Sequence, residues 1–274
     1  APEGLEYLSN NIWKRAEKKS YKLEVLNGEL KHIDSYETSN GYIIGLNEDK
    51  TFGISFKYSS TVIPNTGFNV IRNMLDANNS NEIEDSMDGW VDPCNNFLFS
   101  DTNGDYGYLN RGKVPLRNTL NAWVPVPGWD NDYKWKGFVP FEKLPRIFNP
   151  ENGFIVTANN KIANVDYPFY LSLDSAPEYR AKRITERIKK HLKEGKINSQ
   201  IMISIHSEIT SIPAKVITQL LSGDQLYDSK YSSLFKNFIE WDCKMERNSI
   251  FPTIYSELRY ILNKKVISYL LDAQ

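Results

Sequence analysis

Histidine and cysteine, the residues that most often bind metals or act as nucleophiles, are scarce in this sequence. The three histidines are His32, His191 and His206, and none of them stands in an HxxxH or HExxH spacing. A zinc hydrolase therefore has no ligand set here. The two cysteines, Cys94 and Cys243, are far apart and belong to no CxxC pair, so neither a zinc site nor a disulfide framework is indicated.

Long hydrophobic runs and a surplus of charge are also missing. The longest apolar runs, such as residues 201–205, fall well short of the roughly 20 residues of a membrane helix. With 33 basic and 34 acidic side chains the net charge is −1, so we expect neither nucleic acid nor a membrane as a partner. Ala1 begins no signal-peptide pattern, which predicts a processed or trimmed start and leaves the localisation unassigned.

The front of the chain reads as an antiparallel meander. Asn-Gly pairs at 27–28 and 40–41 separate short alternating segments, and both residue types tolerate the positive φ of hairpin turns. A helical stretch at 65–89 follows, and then a second hairpin that turns at residues 102–105. The predicted strands are residues 21–26, 30–36, 41–46, 51–58, 96–101 and 106–110.

Residues 113–150 are rich in proline and contain Trp123, Trp129 and Trp135. The aromatic content favours a packed loop over a disordered linker, because a linker would be polar. The tryptophans fit two roles equally well: a surface on which a ligand stacks, or side chains buried beneath the loop.

The back of the chain is predicted to be mainly helical. After a short strand at 153–157, a helix begins near Ser175, where Ser175 and Glu178 form an S-x-x-E capping box, and ends at Gly195. Its lysines and arginines are read as a solvated face rather than a nucleic-acid surface. Further helices are expected at 213–221, 233–241 and 252–271, the last with Ile261 and Leu262 in its buried stripe.

This order predicts an α+β fold in which helices pack on antiparallel sheet. We treat residues 1–274 as one fragment, with a strand-rich part at 1–160, which includes the 113–150 loop, and a mainly helical part at 161–274. Two other motifs are discounted. The D-x-N-x-D run at 101–105 lacks the later glycine and glutamate of a calcium loop, and no G-x-S-x-G elbow supports a serine triad.

The segment 95–187 resembles the penicillin amidase (penicillin acylase) family. The matching phrases are NNFLFSDTNGDYGYLNRGKVPLR, VPVPGWDNDYKWKGFVPFEKLP, NPENGFIVTANN and YRAKRI, in the family's order and at similar spacing. Weaker similarities are TSNG at 38–41, with Asn40 where the family usually has histidine, and the pair Trp241-Asp242. The resemblance implies an N-terminal-nucleophile hydrolase of αββα architecture and the hydrolysis of N-acyl amides, such as a β-lactam or an acyl homoserine lactone.

In such an enzyme a serine at the head of the second subunit, freed by self-cleavage, attacks the carbonyl while its own α-amine acts as the base. No histidine is needed, because that amine titrates near neutrality. Ala1 cannot be this nucleophile, so the resemblance implies that the chain is inactive alone and works with the rest of its precursor, the upstream nucleophile segment and first subunit.

The resemblance also assigns two residues. Asn159 matches the family's asparagine whose side-chain amide helps bind the oxyanion, and Arg180 matches an arginine that orients the surrounding hydrogen bonds. Without the flanking phrase, Asn159 would read as an ordinary turn residue, and Arg180 also fits a solvated charge. No cofactor is expected, because Phe169 follows Tyr167-Pro168 where some members have a calcium-binding aspartate.

A second interpretation belongs to another class of protein. The chain could be a non-catalytic relative, or a stable proteolytic core, that binds a small acyl or aromatic ligand through the 113–150 loop, called the tryptophan loop below. The presence or absence of Ser, Thr or Cys at an autoproteolytic junction upstream distinguishes the two interpretations.

Overall fold

The computed structural model describes residues 4–223 and 230–272. The chain divides between Ala176 and Pro177 into two compact units, residues 1–176 and 177–274. The first unit contains antiparallel sheets and short helices, and the second is built from helices. In the described residues, none of the helices combines the length and hydropathy that a membrane span requires.

The predicted meander is confirmed as a four-stranded antiparallel sheet in sequential order. A separate two-stranded hairpin precedes it. Gly41 adopts a φ of +98° at one turn, and a Cβ there would lie 2.1 Å from the carbonyl oxygen of Phe56, so the turn requires glycine. The strands are β1 (Glu6–Ser9), β2 (Ile12–Arg15), β3 (Glu17–Leu23), β4 (Lys31–Thr38), β5 (Gly41–Leu46) and β6 (Gly53–Phe56).

The second predicted hairpin is also confirmed, and it forms the centre of the first unit. Asn95 pairs with Arg111 at its open end and Ser100 with Tyr106 at its turn, and a third strand adds to it. Leu109 is fully buried, so its replacement by alanine would cost about 2–5 kcal/mol. The elements are α1 (Ser59–Val62), α2 (Gly67–Asp76), α3 (Ser80–Ser86), β7 (Asn95–Ser100), β8 (Tyr106–Arg111) and β9 (Arg146–Phe148).

The 113–150 segment is a packed loop. Backbone bonds between Leu116 and Gly137 and between Val114 and Val139 close its base, and Val114 and Val139 enter the core. Its tip is less buried, because the side chains of Trp123 and Trp129 are 60% and 48% exposed. The loop therefore obtains its core from valines at its base, and these two tryptophans remain accessible.

The predicted strand at 153–157 is wrong. These residues are extended but form no ladder with another strand in the described part of the chain. Side-chain contacts hold the segment instead, above all the 2.6 Å bond from Asn96 Nδ2 to Thr157 Oγ1.

The predicted capping box is also wrong, because the helix begins at Tyr179 and Glu178 makes no side-chain cap bond. The Ala176 N–H donates to the Asn159 carbonyl at 2.7 Å. This bond holds the residues before Tyr179 outside the helix. Gly195 ends the helix with a φ of 145°, as predicted. The second unit contains α4 (Tyr179–Glu194), α5 (Ser199–His206), α6 (Ile212–Leu221), α7 (Ser232–Ile239) and α8 (Phe251–Asp272).

The core of the second unit is aromatic. Trp241 contacts the rings of Phe238, Phe251 and Tyr255 at centroid distances of 6.0–6.4 Å. This cluster reaches only the start of α8. Ile261 and Leu262 are each 42% exposed, so their predicted burial is wrong.

Candidate active site

Asn159 lies in a tight turn of the first unit, where it has a φ of +60°. Asparagine tolerates this left-handed conformation better than most residues. Its carbonyl accepts from Ala176, while the Ala158 N–H donates to Asn160 Oδ1 at 3.0 Å. The turn is thus fixed on both sides of Asn159. The residue itself is exposed at the surface of the unit.

A half-buried polar network joins this turn to the central hairpin. Asn96, on β7, donates to Thr157 Oγ1, and its Oδ1 accepts from Tyr108 Oη at 2.7 Å and from Asn110 Nδ2 at 3.3 Å. Tyr108 is 4% exposed, and burial raises the pKa of its phenol. A phenol that stays neutral keeps donating to Asn96. The network therefore sets where the residues just before Asn159 lie.

The sequence did not identify Asn96, Tyr108 or Thr157 as site residues. All three residues are in phrases that match the family. However, Asn96 contacts Thr157, 61 residues away, and Tyr108, 12 residues away, and a local pattern does not reveal such contacts. The available signal was the run of polar residues on the otherwise apolar strands β7 and β8.

Arg180 lies in the first turn of α4, in the second unit, and is exposed. In the same helix, Arg183 bonds Glu208 at 2.8 Å. The orienting role of Arg180 stays a prediction.

Residue 169, where the family resemblance expects a calcium-binding aspartate, is used for packing in this chain. Phe169 packs against the core of the first unit, and Tyr167 donates to the Lys143 carbonyl at 2.8 Å. An aromatic ring offers no oxygen to Ca²⁺, so this position does not fit a calcium ligand. Across the described residues, no group of three or more His, Cys, Asp or Glu side chains lies close enough to hold a metal ion.

The first unit also contains an aromatic cavity of about 640 Å³, apart from Asn159. Strands β5 and β6, the β1–β2 hairpin and the tryptophan loop enclose it. Asn40, at the position where the family resemblance expects histidine, donates from Nδ2 to the Gly128 carbonyl at 2.7 Å and so fixes this loop. The aromatic lining residues are Tyr7, Trp13, Phe52, Phe56, Trp129, Tyr133 and Trp135.

Comparison with known proteins identifies the class of this fold. The chain superimposes on a thermostable penicillin G acylase from Alcaligenes faecalis with a TM-score of 0.72 over 89% of its length, at 19% identity. It covers 44% of that chain. The expected α+β fold, with helices packed on antiparallel sheet, is thereby confirmed.

The chain belongs to the penicillin amidase family, whose sequence profile matches residues 1–272. It is 29% identical to the penicillin acylase 2 proenzyme of Pseudomonas sp. (strain SE83) over 89% of this chain and 31% of that protein. It is also 25% identical to the acyl-homoserine lactone acylase QuiP of Pseudomonas fluorescens (strain Pf-5), over 47% of this chain and 15% of that protein. The chain thus spans less than a third of these relatives' lengths.

Proposed function

We propose that this chain is part of an amidohydrolase that cleaves N-acyl amides through an acyl-enzyme, with Asn159 as an oxyanion donor. The rest of the precursor supplies the nucleophile, an N-terminal serine. The observation that carries the proposal is a neutral carboxamide on a turn fixed from both sides, within the family's matching phrase. Relatives named as penicillin and acyl-homoserine lactone acylases support a linear amide as the substrate.

The proposed reaction has two stages. The serine oxygen bonds to the substrate carbonyl carbon, and the carbonyl oxygen takes the negative charge while the α-amine accepts the hydroxyl proton. The tetrahedral intermediate then collapses, the C–N bond breaks, and the leaving amine takes that proton. Water cleaves the acyl-serine by the same route and releases the carboxylic acid.

Asn159 would act at each tetrahedral stage. Its Nδ2–H group donates to the negative oxygen without titrating, and a preformed donor needs no reorganisation as charge develops. Arg180 is proposed as a positioning residue that orients this donor's surroundings, and it takes no part in proton transfer.

Replacement of Asn159 in the complete precursor tests the proposal. We expect Asn159→Ala and Asn159→Gly each to lower kcat by about 10²–10³ with little change in KM, since an oxyanion donor acts mainly in the transition state. The glycine variant keeps the positive φ, so it separates the loss of the amide from strain in the turn. Steady-state kinetics on an N-acyl amide gives both constants.

Asn103→Ala, which removes an exposed carboxamide from the β7–β8 turn, is the matched control and should leave kcat unchanged. If kcat falls by less than about threefold in both Asn159 variants, the assigned role is refuted, because the loss of an oxyanion donor is expected to cost far more. A complete wild-type protein that hydrolyses no amide would favour the non-catalytic interpretation.

A further inference from the structure

The aromatic cavity of the first unit has a polar side that the proposed hydrolysis does not use. Its volume, about 640 Å³, is that of a site for a small organic molecule. Four cationic side chains line it, Lys50, Lys57, Arg117 and Lys134, against two carboxylates, Glu6 and Asp130. The lining therefore carries a surplus of positive charge beside aromatic rings.

Lys57 is the central cation of this lining. Its ammonium lies 5.3 Å from the centroid of the Trp135 ring and donates to the Ser39 carbonyl at 3.1 Å. Burial, together with the nearby charge of Lys134, lowers the pKa of Lys57. In the part of the chain that the structure describes, no carboxylate oxygen lies within 4.0 Å of the ammonium group of Lys57 or of Lys134.

The neighbouring groups do not neutralise this charge. Lys134 donates to the neutral side chains of Ser9, at 2.8 Å, and Asn10. Asp130 instead accepts the Asp132 N–H at 2.9 Å. The ammonium groups of Lys57 and Lys134 thus donate to neutral oxygens, and an anion in the cavity would supply the missing opposite charge.

We propose that this cavity binds an organic anion, a planar apolar body with one carboxylate, whose charge lies against Lys57 and Lys134 and whose body packs between Trp129, Trp135 and Phe56. The cationic side chains select the anionic group. The aromatic walls favour a flat apolar body over an inorganic ion. The site is independent of Asn159, which does not line the cavity.

Calorimetric titration of the complete protein with 2-naphthoate and with the neutral 2-naphthamide tests this inference. We expect 2-naphthoate to bind at least about tenfold more tightly than 2-naphthamide, because the neutral amide cannot form a charged hydrogen bond with the lysines. Lys57→Met should abolish this preference and Lys57→Arg should keep it. Lys31→Met, an exposed lysine of β4 outside the cavity, is the matched control and should change nothing.

Equal affinity for the acid and the amide, or binding unaffected by Lys57→Met, would overturn the proposal. Absence of binding to the complete protein would overturn it as well, since another segment would then fill the cavity. Binding that Asn159→Gly weakens and Lys57→Met does not would place the anion at the proposed active site instead. These outcomes are separate from the kinetic test of Asn159.

Discussion

A single residue type meets two requirements at position 159. The turn needs a residue that accepts a φ of +60°, and the proposed chemistry needs a neutral amide donor. Asparagine satisfies both, whereas glycine would satisfy only the first and glutamine only the second. The turn and the donor are thus fixed by the same choice of amino acid.

Thr157 is expected to act as a positioning residue for this turn. Thr157→Val removes the oxygen that accepts from Asn96 and leaves a half-buried amide without this bond, at a cost of about 1 kcal/mol. We expect kcat to fall by about tenfold with KM nearly constant. A small misplacement of the Asn159 donor reduces its stabilisation of the transition state more than that of the ground state.

Thr157→Ser keeps the hydroxyl and should restore kcat to within about twofold of the wild type, since the hydrogen bond is retained. Kinetics of both variants, alongside thermal unfolding, distinguishes positioning from folding. Loss of activity in the serine variant together with full activity in the valine variant would show that the methyl group, and not the hydrogen bond, matters.

At the scale of elements, an acidic side chain joins α4 to the segment after α5. Glu208 bonds Arg183 at 2.8 Å and the Thr210 hydroxyl at 2.5 Å. Its side chain is 16% exposed. The Thr210 hydroxyl is the main cause that lowers the pKa of Glu208 from 4.5 to about 2, and the Thr210 N–H and Arg183 add to it.

This shift predicts a pH dependence of stability. Because the folded pKa lies below the unfolded one, Glu208 stabilises the fold fully above about pH 4.5, by roughly 3 kcal/mol, and the contribution is lost as the pH falls towards 2. Glu208→Gln should therefore lower the free energy of unfolding at pH 7, and the difference from wild type should shrink below pH 4.5.

Denaturant unfolding across pH 7 to 2.5 checks this, with the exposed Glu246→Gln as control. A difference between wild type and Glu208→Gln that stays constant over that range would contradict the assignment.

Local patterns predicted most elements, and long-range contacts explain the failures. The turn at residues 102–105 was sufficient to place β7 and β8, because a hairpin is specified by neighbouring residues. The start of α4 was placed four residues too early, since the bond from Ala176 to Asn159 depends on a distant segment. Helix α5 was missed for a different reason, because its Ile201–Ile205 run has no polar face to reveal a helical period.

The candidate site shows the same division. Asn159 and Arg180 came from family phrases that local sequence carries, and their roles remain predictions. The roles of Asn96, Thr157 and the cavity lysines are visible only in the folded chain, because each depends on residues brought together across the first unit.

At the scale of the whole molecule, the proposed function requires a complete enzyme around this chain. The chain belongs to the penicillin amidase family and spans 31% of the penicillin acylase 2 proenzyme, and it is proposed to be part of a complete acylase. The nucleophile is proposed to come from the remainder. The exposed position of Asn159 is consistent with a cleft completed by that remainder.

The most direct measurement is a crystal structure of the complete protein with a boronate bound to its nucleophile, in which a boronate oxygen stands in for the oxyanion. As an oxyanion donor, Asn159 should have its Nδ2 at about 2.7–3.1 Å from that oxygen. An amide turned towards bulk solvent, with the oxygen bound by other groups only, would contradict this role.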